Sequence, residues 1–188
     1  MLDLLALLED QAPLSPELRN HLQQIIHVEE FPKKAHLLKA GHLNTKVYFI
    51  IKGLVRCYVV DSEGKEESIW FLKEGDVIYP REGFDKQTMT DESMQALEDC
   101  FVYSINFSEL EIMYKQYPEL NFHGRRVAVR YSLLWYTLFK QLKMKSAQER
   151  YQFLLENFPE LVQRVQGQYL ASFLGISHGT LSRIRGII

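Results

Sequence analysis

The sequence predicts an α+β chain, with an antiparallel β-sandwich or barrel flanked by helices and then a helical second half. Three observations carry this. From Val28 to about Asn106, short runs rich in Val, Ile, Tyr and Phe, such as KVYFIIKGLVRCYVVD and ESIWFLKEGDVIY, alternate with breaks at Gly53, DSEGKE (61–66), EGD (74–76) and REG (81–83). Such runs, at roughly 8–12-residue spacing with turn residues between them, mark an antiparallel sandwich or barrel. From Phe107 onward the apolar residues recur at helical spacing instead. Charge divides at the same place. Residues 1–108 hold 11 Lys+Arg against 18 Asp+Glu, and residues 109–188 hold 11 against 6, within a net charge of −2. An acidic front and a basic back suggest two tasks, with a polyanion as partner of the back half.

The elements follow in order. Residues 2–26 have helical spacing, interrupted by APLSPE, where Ser15-Pro16 restarts a helix. MLDLLALLED lacks a basic n-region and a small-residue cleavage site, so it reads as an amphipathic helix rather than a secretory signal. No apolar run approaches the roughly 20 residues that span a bilayer, so a cytoplasmic chain with no membrane partner is expected. Beyond the β-rich region, SELE (108–111) fits a capping box. A second helical run covers 118–144, with Val127, Tyr131, Leu134 and Leu138 at +4, +3 and +4 spacing. SLLWYTLF within it is costly to leave wet. One face is therefore expected on the β domain and one on a second copy of the chain, with those four residues as the dimer contact. SAQE (146–149) fits another capping box and starts a helix to about Asn157, with Pro159 beyond its stop.

The stretch GQYLASFLGISHGTLSRIRGII (167–188) reads as a helix-turn-helix. Gly175 supplies the positive φ of a three-residue turn. Ala171 is small enough for a second helix to cross above it, and Leu170, Leu174, Ile176, Leu181 and Ile184 are the apolar positions that pin two helices together. Ser177 can cap the second helix. Leu181, Ile184 and Ile188 share one face of that helix. The opposite face carries Gly179, Ser182, Arg183 and Gly186, with His178 and Arg185 beside it. An arginine there can pair bidentately with guanine in the major groove, and Thr180 with the helix N-terminus can hold a phosphate. The DNA-binding candidates are therefore Ser177, His178, Gly179, Thr180, Ser182, Arg183 and Arg185, with double-stranded DNA as partner.

With these residues in view the chain resembles a Crp/Fnr-type bacterial transcription regulator along nearly its whole length. VYFIIKGLVRCYVVDSEGKEESIWFLKEGD resembles the family's β-roll hairpins, QALEDCFVYSI its closing strands, and RYQFLLENFPELVQRVQGQYLASFLGISHGTLSRIR its DNA-binding domain. The resemblance implies a jelly-roll-like, cyclic-nucleotide-binding-like β-roll with N-terminal helices over 1–117. It further implies a dimerisation helix over 118–144 and a winged helix-turn-helix over 145–188 that reads a palindrome as a homodimer. It places base-reading residues at His178, Gly179 and Arg183. Gly179 departs from the family's usual Glu, which removes an acceptor for cytosine N4 and weakens the helix's first turn.

The sensor region departs further. Members that bind cyclic nucleotides carry a Gly-Glu pair and, some ten residues on, Arg-Ser or Arg-Thr, whose Arg neutralises the phosphate. Here the region reads VIYPREGFDKQTMTDESMQALED, with no Gly-Glu and with Glu92-Ser93 in place of Arg-Ser. A carboxylate there repels a phosphate, so no cyclic nucleotide is expected. A small-molecule effector of another kind would be sought at Tyr79, Arg81, Phe84, Ser93 and Gln95. No cofactor, metal site or catalytic residue is expected. Cys57 and Cys100 are too few for a disulfide scaffold or a four-cysteine zinc site, no cysteine cluster for an iron–sulfur centre precedes Cys57, and His36 and His42 read as a solvated strand edge rather than metal ligands. Two other functions stand beside the DNA-binding one: a cupin-like metal-binding enzyme, and a protein-interaction module that keeps the fold without binding DNA.

Overall fold

A computed structural model describes residues 2–9, 12–78 and 89–187. Two helices come first, α1 (Leu2–Glu9) and α2 (Pro16–Ile25). Ser15 caps α2 by accepting from Leu18 N, and Pro16 stands at its first position, as the sequence predicts. The strands β1 (His27–Phe31), β2 (His36–Leu38), β3 (Lys46–Lys52), β4 (Val55–Val60), β5 (Glu66–Leu72), β6 (Val77–Ile78), β7 (Ser93–Ala96) and β8 (Cys100–Asn106) form two four-stranded sheets, ordered β1-β8-β3-β6 and β2-β7-β4-β5. Their pairings are antiparallel, and this is the expected jelly-roll-like β-roll. Between the sheets lie Ile50, Val55, Cys57, Ile78, Met94, Ala96 and Val102. The other face of the first sheet presents Phe49, Tyr103 and Ile105 to a second apolar layer with Leu5, Leu18 and Leu22 from the N-terminal helices. Gly53, between β3 and β4, has φ +112°, and a Cβ there would lie 2.5 Å from Cys100 Sγ and 2.9 Å from the Asp99 carbonyl. Only glycine suits that turn.

Helix α3 (Phe107–Gln116) follows β8 directly, with Asn106 at its N-cap and Asn106 Nδ2 donating to Glu109 Oε2 at 2.9 Å. The capping box expected at Ser108–Glu111 does not form, and Asn106 at the N-cap makes no side-chain cap hydrogen bond. Strand β8 runs to Asn106, so the helix starts earlier and Ser108 falls inside its first turn. Helix α4 (Pro118–Met144) has 27 residues, about 40 Å of length. Then come α5 (Ala147–Asn157), α6 (Pro159–Arg164), α7 (Gly167–Phe173) and α8 (His178–Arg185). The Ser146–Glu149 capping box on α5 is present in both directions. Pro159 follows the stop of α5, as expected, and also starts α6.

The stripe on α4 is corrected. Tyr131 and Leu138 are only 4% and 2% exposed, and Val127 and Leu134 are partly buried against the same core. These four residues hold α4 to its own chain. The Tyr131 hydroxyl decides which face turns inward, because it accepts from Val77 N at 2.8 Å and donates to Asp76 Oδ1 at 3.2 Å. The opposite face is the open one, with Val129, Leu133, Tyr136 and Phe139 between 52% and 64% exposed.

Candidate nucleic-acid interface

Helices α7 and α8 cross over a turn in which Gly175 adopts φ +65°. Leu170, Ala171, Leu174, Leu181 and Ile184 are each 7% exposed or less, and Ile176 is partly buried against them. Ile188 lies outside the described residues. Ser177 caps α8, its Oγ accepting from Thr180 N at 3.1 Å. The Thr180 hydroxyl stands 2.9 Å from Ser177 Oγ and accepts from Arg183 Nη2 at 3.3 Å. A polar ladder, Ser177–Thr180–Arg183, therefore runs up one side of the helix. Residues 145–187 contain helices and no strand, so the strands of a wing are not among the described residues.

Gly179, Ser182 and Arg183 face outward on α8. Two residues expected beside them reach back instead. The His178 ring lies over the start of α7, where a Cβ on Gly167 would come within 2.8 Å of its Nε2. Arg185 Nε donates to Tyr151 Oη at 3.2 Å, with the guanidinium 5.7 Å from the Tyr151 ring centre. Arg185 thereby ties α8 to α5, while its side chain, like that of His178, remains exposed.

The helix pair is seated on the β-roll. Ser172 Oγ of α7 accepts from Ser68 N at 2.8 Å and donates to Glu67 Oε2 at 2.9 Å. Arg56, 1% exposed, lies between the rings of Tyr58 and Tyr169 at 4.5 and 4.0 Å. Its Nε donates to Ser68 Oγ at 2.8 Å, and it pairs with Glu66. Arg164 of α6 reaches Glu74 through Nη1 at 2.8 Å and Nη2 at 3.0 Å, and Glu98 through Nη2 at 2.7 Å. Sequence reasoning did not single out Arg56 or Arg164. The one signal for Arg56 is a charge in the middle of the apolar run GLVRCYVV, a place where a charge must be paired.

The clamp has a pH signature. Hydrogen bonds from Arg164, and then from the Gly53 amide, hold the Glu74 carboxyl down at about 2 against an ordinary 4.5. A carboxylate depressed on folding contributes stability that is complete above its unfolded value and lost as pH falls through its folded one. The seating of α6 on the roll should thus persist well below pH 4.5 and fail toward pH 2. In Arg164→Ala the contribution is gone, and Trp70 and Trp135 fluorescence, which reports this junction, should change at higher pH. Coincident acid transitions of the two proteins would show that the clamp is inert.

Of the five effector candidates, Ser93 and Gln95 lie among the described residues. Ser93 Oγ accepts from Ala40 N at 3.0 Å, and Gln95 Nε2 donates to the Lys34 carbonyl at 3.2 Å. Both stand in register with Tyr58 and Arg56, while their neighbours Met94 and Ala96 fill the roll. Tyr79, Arg81 and Phe84 lie outside the described residues. His36 Nε2 is 3.0 Å from Tyr58 Oη, and His42 Nδ1 is 3.3 Å from the Ala40 carbonyl. Among the described residues no group of three or more His, Cys, Asp or Glu could hold a metal. Cys57 and Cys100 are buried thiols outside any disulfide, and burial pushes Cys100 up. No helix among the described residues is long and apolar enough to cross a membrane.

Comparison with known proteins agrees with this architecture. The cyclic nucleotide-binding domain family matches residues 28–117. The cAMP-activated global transcriptional regulator CRP of Pasteurella multocida is 26% identical over 97 residues, 52% of this chain and 46% of that protein. The chain thus spans about half the length of the curated relatives it matches. Among solved structures, FixK2 from Bradyrhizobium japonicum superposes with a TM-score of 0.76 at 20% identity, covering 87% of this chain and 84% of its own. A transcriptional regulator of the crp/fnr family from Eubacterium rectale gives 0.67 at 19%, covering 93% and 83%. In fold the chain is of the Crp/Fnr type, and its residues 28–117 match the cyclic nucleotide-binding domain family.

Proposed function

We propose that this chain is a cytoplasmic, non-enzymatic, DNA-binding transcription regulator that reads a palindromic operator as a homodimer. The observation that carries the reading is the outward face of α8, capped by Ser177 and pinned by Leu181 and Ile184, with Arg183 directed to solvent. In this reading α8 lies in the major groove and Arg183 addresses a guanine. Thr180, the capped N-terminus and Arg185 contact phosphates, and His178 lies over the start of α7 rather than reading a base. Gly179 offers no side chain, so specificity rests on few contacts. The copies pair through the open face of α4, whose Val129, Leu133, Tyr136 and Lys140 recur at +4, +3 and +4, the seam spacing of a coiled coil. Selection from random duplex DNA should return two inverted half-sites about one helical turn apart. Recovery of unrelated sequences would remove this function and leave an interaction module.

The chain differs from its cAMP-activated relatives in what it should sense. Glu92-Ser93 occupies the place of the phosphate-neutralising pair, and like charges repel. Titration calorimetry with cyclic AMP and cyclic GMP is therefore expected to show no saturable binding at micromolar concentration. A dissociation constant in that range for either nucleotide would contradict the expectation.

A further inference from the structure

The N-terminal helices, the outer face of the first sheet, α3 and the start of α4 enclose a cavity of about 150 Å³. Leu8, Leu22, Phe49, Ile105 and Leu110 are among its walls, and among the described residues no Asp, Glu, Lys or Arg lines it. His123 of α4 also lines it and is 1% exposed. Neither ring nitrogen of His123 has a hydrogen-bond partner among the described residues. Buried polar atoms are nearly always hydrogen-bonded, and each exception calls for an explanation. The packing around this one is deliberate on the α4 side. At Gly124, next in sequence, a Cβ would stand 2.5 Å from Tyr114 Oη, so the missing side chain lets the Tyr114 ring close against the helix beside the histidine.

The chemistry of the walls selects the occupant. A charged ligand would meet no counter-charge among the described walls, and an unpaired buried charge is costly. A fully apolar one would leave both His123 nitrogens as they are. Burial, opposed by Glu119, lowers the pKa of His123, so the ring is neutral and offers one acceptor and one donor. A cavity of about 150 Å³ accepts a molecule of about benzene size. We propose that this cavity binds a small, neutral, mostly apolar molecule bearing one hydroxyl, with His123 as its polar anchor. Ser93 and Gln95, the described effector candidates of the sequence, are not among its walls. Its occupancy does not depend on whether α8 reads DNA, so binding is measured on the protein alone and either claim can fail without the other.

The test compares phenol with benzene, two probes that differ by the hydroxyl. Three proteins are titrated by calorimetry or by chemical-shift perturbation: the unaltered full chain, His123→Leu and Val47→Phe. Val47 lines the cavity from β3, and the larger ring fills it. His123→Leu exchanges an unpaired polar group for an apolar one of similar bulk, a change that such sites tolerate, and its melting temperature checks that the fold is kept. The full chain should bind both probes saturably at one site and prefer phenol by roughly fivefold or more, the worth of one hydrogen bond. His123→Leu should bind the two equally, and Val47→Phe should bind neither. No saturable binding of either probe by the full chain, or an undiminished phenol preference in His123→Leu, would overturn the proposal.

Discussion

Trp70→Ala is expected to cost about 3–5 kcal/mol of stability, the range for truncating a buried large aromatic residue. Trp70 is 3% exposed and joins four elements. Its ring lies 6.1 Å from Trp135 of α4, 5.2 Å from Phe158 between α5 and α6, and 5.3 Å from Phe173 of α7. The substitution therefore opens a cavity where the β-roll meets the helical half. Chemical denaturation followed by circular dichroism reads the loss. A cost below about 1 kcal/mol would mean that this junction relaxes freely and that the seating of the helix pair is loose.

Leu133→Glu combined with Tyr136→Glu is expected to give a folded monomer. Both side chains are more than 60% exposed in the single chain, so charge there is harmless to the protomer. In the proposed dimer the same positions are covered, and burying unpaired carboxylates costs several kcal/mol, enough to shift the dissociation constant by orders of magnitude. Light scattering and sedimentation read the mass. The control is Leu138→Glu, on the inward face at 2% exposure, which should unfold the chain rather than dissociate it. A double variant that remains dimeric would move the contact elsewhere.

The two faces of α4 show where the sequence stops being legible. Val127, Tyr131, Leu134 and Leu138 repeat at the same interval as Val129, Leu133, Tyr136 and Lys140. Periodicity alone assigns neither stripe to the interior. The choice is made by Asp76 and Val77, more than fifty residues away in the chain, which the Tyr131 hydroxyl reaches. Local signals were readable because they act within one turn. Ser15 and Ser146 cap their helices as their spacing predicts, and Gly175 takes the left-handed conformation the helix-turn-helix requires. Ser108 misled because the helix begins directly at the end of β8, which puts Asn106 at the N-cap position two residues earlier. The outward face of α8 was legible as a set of positions but not as directions. The packing of His178 over Gly167 and of Arg185 on Tyr151 depends on tertiary contacts that no spacing encodes. A lone histidine such as His123 gives no sequence signal, since only burial without a partner distinguishes it.

In the proposed complex α8 reads DNA through Arg183. The most direct measurement is a competition gel shift, at fixed salt, of the unaltered protein and Arg183→Ala on a selected duplex and on its variants at each guanine. Arg183 is exposed, so its loss should leave folding nearly untouched. Arg183→Ala is expected to bind more weakly by about 1–3 kcal/mol per half-site and to lose its preference at one guanine, with other positions unchanged. Identical affinity and identical base preference for the two proteins would contradict it.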